Sequence, residues 1–473
     1  MIRNMIGGLA GIGLSLGTAS TAFAQAAMVQ APDVATQATM VNKGDTTWML
    51  VSSVLVLMMS VPDLALFYGG LVRTKNMLSV LMQVFMIVSI TGLLWATYGY
   101  SLAFTGGSPF IGGFSKALMA GVTSGTYAAT FSNNVYIPEL TYFVFQMTFA
   151  MITPALFIGA FAERIKFTPL MIVTVLWSTF AYYPIAHMVW YWAGPDFLAG
   201  QPGDWGYLYG KGALDFAGGT VVHINAGIAG LVGCLVIGPR LGFGKEATPP
   251  HSLVMTMIGA SLLWVGWFGF NAGSNLESNG VAAVAFVNTM LATCAAAVSW
   301  AMIEQIVHKK PSMLGAASGA VAGLVAITPA SGLGAPMTSI VLGLIVSPIC
   351  YFFVTTVKSK FKYDDTLDVF GIHCIGGITG ALATAIVAAP NLGGQGYFDY
   401  TVFPAVAIAP EAYSISGQLL IQLQAVGVTL VWSGVVTFVL LFALDKIMGL
   451  RPSEEVEREG LDINEHGERA YNN

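Results

Sequence analysis

The chain has 473 residues, of which 55% are hydrophobic, 12% aromatic and only 9% charged, with a formal net charge of -5. About a quarter of the residues of a soluble domain are charged, so at a mean hydropathy of +0.72 this chain cannot solvate its own exterior. That excludes a soluble enzyme, a disordered chain and, with the negative balance, a nucleic-acid binder; what is left is a polytopic membrane protein.

Residues 1–24 have the three parts of a secretory signal: Arg3, a short apolar run over 5–16, and Ala22-Phe23-Ala24 as an A-x-A site. The run is too short to span a bilayer, which takes about 20 residues. Residues 25–47 read as an exported arm. Eleven apolar segments of spanning length follow, at 48–71, 78–102, 138–162, 170–193, 218–237, 252–271, 283–307, 313–328, 338–357, 371–389 and 418–444. In the short eighth, Gly315, Gly319 and Gly323 recur every four residues, the pattern of a tightly packed interior helix. Of the 19 Lys and Arg residues, 15 follow odd-numbered spans. The positive-inside rule then puts the N-terminus outside and the C-terminus in the cytoplasm, as an odd span count requires.

Two segments repeat a pattern. Leu214-Asp215-Phe216 leads to His223, Gly227 and Gly230; Leu367-Asp368-Val369 leads to His373, Gly377 and Gly380. The two helices lie five spans apart and run in opposite directions. This is the mark of an inverted repeat of two five-helix halves with an eleventh helix left over, whose pathway lies at the repeat interface. Residues i, i+4 and i+7 share a helix face, so each histidine sits beside two glycines and the imidazoles can meet. A neutral imidazole both donates and accepts, so such a pair can pass a small hydrogen-bonding solute or share a proton. As metal ligands the two fall short of the three or four that zinc takes. The cysteines Cys234, Cys294, Cys350 and Cys374 form no CxxC and read as packing residues. No metal or cofactor is expected. His187 reads as a structural histidine. Asp215, at a helix start, reads first as a cap for free N–H groups and secondarily as an attraction for cations; Asp368 reads as its structural counterpart. Trp190 offers an indole face to a small cation, and Ser274, after Trp264-Val265-Gly266-Trp267-Phe268-Gly269-Phe270, offers a hydroxyl oxygen.

From about residue 45 onward the chain resembles the ammonium transporter (Amt/Mep/Rh) family on its bacterial Amt side. The resemblance rests on five motifs in order: 65–73 (ALFYGGLVR), 159–164 (GAFAER), 215–223 (DFAGGTVVH), 266–274 (GWFGFNAGS) and 368–373 (DVFGIH). It implies an all-α subunit of eleven helices in a homotrimer, with one narrow path per subunit. It also implies site residues. Trp190, Phe149 and Ser274 match an outer ammonium recruitment site, Phe149 and Phe270 a stacked phenyl gate, His223 and His373 the twin histidines of the pore, and Asp215 the acid supporting recruitment. Phe149 is selected by the resemblance alone.

The acidic tail, with Glu454, Glu455, Glu457 and Glu459 before Gly460, resembles a cytoplasmic region that couples subunits and helps bind a PII-family nitrogen regulator. Gly460 matches its flexible point. The expected organisation is a signal peptide over 1–24, a periplasmic arm over 25–47, a transporter domain over 48–450 and a regulatory tail over 451–473. The expected setting is the lipid of a bacterial inner membrane, and the expected substrate ammonium or ammonia. Electrogenic uptake is the leading reading; a passive ammonia channel and an ammonium sensor signalling through the tail are the alternatives. An intramembrane hydrolase lacks a nucleophile or metal cluster. One residue departs from the family: Asp63 stands where a small residue is usual. An acid in a span needs a partner, water or protonation, and both a trimer contact and a neutral structural acid fit it.

Overall fold

The structure is a computed structural model and describes residues 32–196, 205–399 and 406–471; the expected signal peptide lies outside them. Among the described residues eleven helices are long and apolar enough to cross a membrane. Spans 1 to 5 are Lys43–Leu71, Thr74–Phe104, Glu139–Ala160, Phe167–Trp190 and Gly219–Ile237. Spans 6 to 10 are Leu253–Gly273, Gly280–His308, Met313–Ala330, Pro336–Phe361 and Phe370–Val387, and span 11 is Ile415–Met448. Each of the eleven sequence segments finds its helix. Span 1 begins earlier than the apolar run suggests because the Asn42 side chain accepts from the N–H of Asp45 at 3.1 Å and caps the helix there. Ser252, Asn279, Ser312 and Ser414 cap spans 6, 7, 8 and 11 in the same way.

The ends of the odd-numbered spans and the starts of the even-numbered ones form a basic face. Among the described residues the opposite face carries three two-residue to three-residue hairpins, including Gly107–Ser108 with Ile111–Gly112 and Tyr127–Ala129 with Tyr136–Pro138. We call it the hairpin face.

The two five-span halves are related element by element. Spans 3 and 8 are the most enclosed, 83% and 78% buried over their apolar windows. Each ends by holding the loop that opens the fifth helix of the other half. The Pro329 carbonyl at the end of span 8 accepts from Phe216 N at 3.1 Å, and the Ala160 carbonyl at the end of span 3 accepts from Thr366 N at 3.0 Å. Spans 5 and 10 both begin with a widened π-type turn, Gly219–Ile224 and Phe370–Cys374, a distortion frequent at functional sites. Each of these turns carries one of the two histidines. The glycine four residues after each histidine faces the other helix. A Cβ on Gly227 would stand 2.4 Å from Cys374 N, and one on Gly377 3.2 Å from His223 Cβ. Glycine is what lets the two turns touch. In span 8, Gly319 and Gly323 lie against the Ala296 and Ala292 carbonyls of span 7, as their spacing suggests.

Candidate functional site

The helix starts set the chemistry. Both carboxylate oxygens of Asp215 accept backbone hydrogen bonds, from Gly218 and Gly219 at 2.9 and 2.6 Å and from Thr220 and Val221 at 2.9 and 3.0 Å. The acid satisfies the free donors of the first turn, so capping is its structural work. Burial pushes its carboxyl up from the ordinary range, and the four N–H groups pull against that shift. The counterpart on the basic face is Asp365, which corrects the sequence reading. Asp365 accepts from Val369 N at 3.1 Å and Phe370 N at 2.7 Å, whereas Asp368 pairs with Lys358 at 2.6 Å. Asp215 and Asp365 each stand eight residues before their histidine. The shared Leu-Asp dipeptide pointed to Asp368; the constant Asp-x7-His spacing is the signal that finds Asp365.

Between the two helix starts runs a column of rings. Trp190 meets Phe149 edge-on at 5.6 Å between centroids, and Phe149 meets Phe270 at 4.4 Å. Phe270 then stacks on His223 at 5.8 Å, and His223 on His373 at 5.4 Å. Trp267 stacks on His223 from the side at 5.3 Å, a contact its place in an aromatic-rich helix did not single out. Phe149 and Phe270 are buried; Trp190 and Ser274 are half-buried at the hairpin end. The Trp190 indole N–H donates to the Asp215 carbonyl at 2.9 Å, so Asp215 also fixes the indole face through its backbone. The Ser274 hydroxyl donates to the Phe270 carbonyl at 2.7 Å, which leaves its oxygen lone pairs free to accept.

The two imidazoles meet nitrogen to nitrogen, Nδ1 to Nδ1, at 3.2 Å. One Nδ1 must donate and the other accept. The donating ring therefore keeps a bare Nε2, and the accepting ring carries its hydrogen on Nε2. Whichever way the shared proton lies, the neutral pair offers one donor and one acceptor. His223 Nε2 is buried and has no protein partner. Both rings border a space of about 10 Å³ walled by Met59, Leu64, Phe67, Ile152, Leu156, Leu263, Trp267, Phe270 and Val321. That is room for about one water-sized solute, with the histidines as its polar wall. Beyond His373 a cavity of about 480 Å³ opens, bordered by Val354, Lys358, Asp368 and Arg240. Rings thus flank the small space toward the hairpin face, and the larger cavity extends from His373 toward the basic face.

The sequence model of the Ammonium Transporter Family matches residues 47–471. An ammonium transporter of Bacillus subtilis is 43% identical over 90% of this chain and 98% of its own length. Another, of Aquifex aeolicus, is 44% identical over 91% of this chain and 94% of its own. Among solved structures, Saccharomyces cerevisiae Mep2 covers 89% of this chain and 92% of its own at 31% identity and a TM-score of 0.76. A protein titled Sensor Amt Protein covers 89% and 98% at 26% identity and a TM-score of 0.78. The chain belongs to the ammonium transporter family. The family is one of membrane transporters and not of enzymes.

Within this family member His187 is structural, as read. Its Nδ1 lies 3.0 Å from the Ala103 carbonyl and its Nε2 2.9 Å from the Ser108 carbonyl, tying span 4 to span 2 and a hairpin. Buried Cys234, Cys350 and Cys374 pack singly, and among the described residues no metal-binding cluster forms.

The tail is docked along the basic face. Asp462 accepts from Leu78 N and Ser79 N at 3.0 and 2.8 Å and so caps span 2 from a distance in sequence. Asn76 takes the N–H of Leu461 at 2.9 Å, and Lys75 reaches the Arg458 carbonyl. Glu457 pairs with Arg451 at 2.7 Å and accepts from Leu241 N at 2.9 Å. Gly460 has a φ of +120°, and a Cβ there would stand 2.7 Å from the Lys75 carbonyl. Beneath the tail, Glu163 bridges Arg73 at 2.9 Å and Arg240 at 3.1 Å, and Arg240 reaches Asp364 at 2.8 Å. Burial opposes the charge on Glu163, but those partners outweigh it and hold the carboxyl below its ordinary range. Sequence reasoning missed this cluster, because basic residues counted for orientation carry no sign of their partners.

Proposed function

We propose that the chain carries ammonium across a bacterial inner membrane into the cytoplasm by recruiting the cation, removing a proton and conducting ammonia, with net proton movement. The observation that carries this reading is the unbroken column from Trp190 through Phe149 and Phe270 to the His223–His373 pair. Moving a small ion from water into a dry medium costs of order 20 kcal/mol by an idealised Born calculation, while a cation–π contact returns only about 2 kcal/mol. The indole of Trp190, the ring of Phe149 and the Ser274 oxygen support binding the cation at the mouth. They cannot support carrying its full charge through the rings. Ammonia is neutral, donates and accepts, and suits the one-donor, one-acceptor wall of the histidines.

In this reading the basic face is cytoplasmic, as the Lys and Arg distribution supports, and residues 1–24 direct export of the N-terminus. The apolar side chains exposed on spans 1, 6, 7, 9 and 11 suit lipid and the contacts of a homotrimer. The docked tail, turning at Gly460, suits a regulatory element read by a PII-family protein.

The test is the current evoked by an ammonium jump on a solid-supported membrane bearing proteoliposomes, with ammonia flux followed in parallel. Current with flux is expected. Flux without current would overturn the electrogenic step in favour of a passive channel, and neither would overturn transport in favour of a sensor.

A further inference from the structure

Span 1 holds an acid that the path above does not use. Asp63 is 0% exposed, and neither carboxyl oxygen has a hydrogen-bond partner. Residues 59–64 pack against spans 2, 3 and 6 and the flanking turns of span 1. Across those four spans the other charged residues are Lys43, Asp45, Lys75 and Glu139, each within the first three residues of its helix. Three tyrosine hydroxyls on these spans are spent elsewhere: Tyr68 on the Leu156 carbonyl, Tyr98 on Thr179 and Tyr100 on Glu139. No counter-charge faces Asp63. An unpaired carboxylate in such surroundings is far costlier than a neutral acid, so in this conformation Asp63 holds a proton.

Its position is beside the path. The backbone from Asp63 to Phe67 is helical, so the two share a face. Phe67, Leu64 and Met59 wall the same small space as His223 and His373. Gly259 brings span 6 onto the backbone here; a Cβ on it would meet the Asp63 carbonyl at 2.7 Å and Phe67 N at 2.4 Å. On the same two helices Ser60 Oγ and Trp264 Nε1 are also buried without partners.

We propose that Asp63 is a proton-binding site alongside the pore, alternating between a neutral acid and a short-lived carboxylate. This rests on the deprotonating reading above. The Asp63 O–H bond breaks as its proton passes to water of the cavity on the basic face, which Phe67 also borders. The carboxylate left behind takes, through water, the proton whose N–H bond breaks on ammonium at the mouth with the electron pair left on nitrogen, and ammonia proceeds past the rings and the histidines.

Asp63→Asn keeps the size and polarity of the neutral acid but cannot exchange that proton. In reconstituted protein the ratio of ammonium-evoked current to ammonia flux falls by roughly tenfold or more, the scale of losing one proton-transfer group. In parallel, the infrared carbonyl stretch of a protonated carboxylic acid, present in the wild type, loses intensity in the variant. An unchanged ratio overturns the proposal. Absence of current in the wild type overturns the electrogenic reading instead, and Asp63 is then judged on its infrared band, whose undiminished intensity in the variant overturns the proposal. Should Asp63→Asn fail to assemble, Asp63→Ala is read in the same two ways.

Discussion

The two helix starts that bracket the path share a design and differ in electrostatics. On the hairpin face Asp215 is held by four backbone N–H groups, and burial raises its carboxyl against them. On the basic face Asp365 takes only two N–H groups and feels Lys358 and Asp368. The first is held by backbone dipoles, beside the Trp190 ring. The second lies beside a charged pair, Lys358 with Asp368. One inverted repeat thus supplies one helix start held by backbone dipoles and one set among charges.

The largest expected effect tests that asymmetry directly. Asp215→Ala strands four buried donors, at about 1–3 kcal/mol for each left unmet. It should lower the thermal unfolding midpoint in detergent about twice as far as Asp365→Ala and abolish the ammonium-evoked current. Equal shifts would erase the distinction between the two starts.

Next come the glycines where the halves touch. Gly227→Ala drives a Cβ to 2.4 Å from the Cys374 backbone nitrogen, whereas around Gly377 the nearest atoms, on Ile224, the Gly219 carbonyl and His223 Cβ, stand farther off at 3.0, 3.1 and 3.2 Å. Overpacking costs about 1–3 kcal/mol, so ammonia flux should fall about tenfold or more in the first and less than about threefold in the second. Matching losses would show that the contact is more symmetric than its geometry.

Acid should separate the basic-face carboxyls. Burial, against the pull of Lys358, pushes Asp365 up to about 6. A raised carboxyl binds its proton better folded than unfolded, so its stabilising contribution is present at low pH and is lost as pH rises through about 6. Glu163 and Asp364, despite burial, are held low by Arg73, Arg240 and Arg164. Their contribution is lost only as pH falls below the ordinary carboxylate range. Unfolding midpoints should therefore rise from pH 7 to 5 through Asp365, and Asp365→Asn should flatten that rise.

The smallest effect is at the mouth. Trp190→Phe keeps a ring but loses the 2.9 Å bond to the Asp215 carbonyl. One hydrogen bond is worth about 1 kcal/mol, so half-saturation of the current should shift about fivefold toward higher ammonium, with the maximum little changed.

The spans were legible because lipid judges each helix separately. A backbone in hydrocarbon must bond to itself, so a run of about 20 apolar residues is sufficient evidence for a helix there. The histidine pair was legible because the repeat wrote the same residue types twice. Asp365 was misread because local similarity at Leu367-Asp368 outweighed spacing. Phe149 carried no signal of its own in a helix that also holds Phe143, Phe145 and Phe157. Asp63 was legible as an anomaly, but not as an acid without any counter-charge.

By itself the sequence determined the solvent, the number of crossings, the basic face and the inverted halves, since these depend on composition and order along one helix at a time. Only the tertiary structure decided which acid caps which turn, which rings stack, and that His223 and His373, 150 residues apart, share one proton between Nδ1 atoms. Those outcomes depend on how closely two halves approach, and a glycine's missing Cβ permits that approach without saying what stands on the other side.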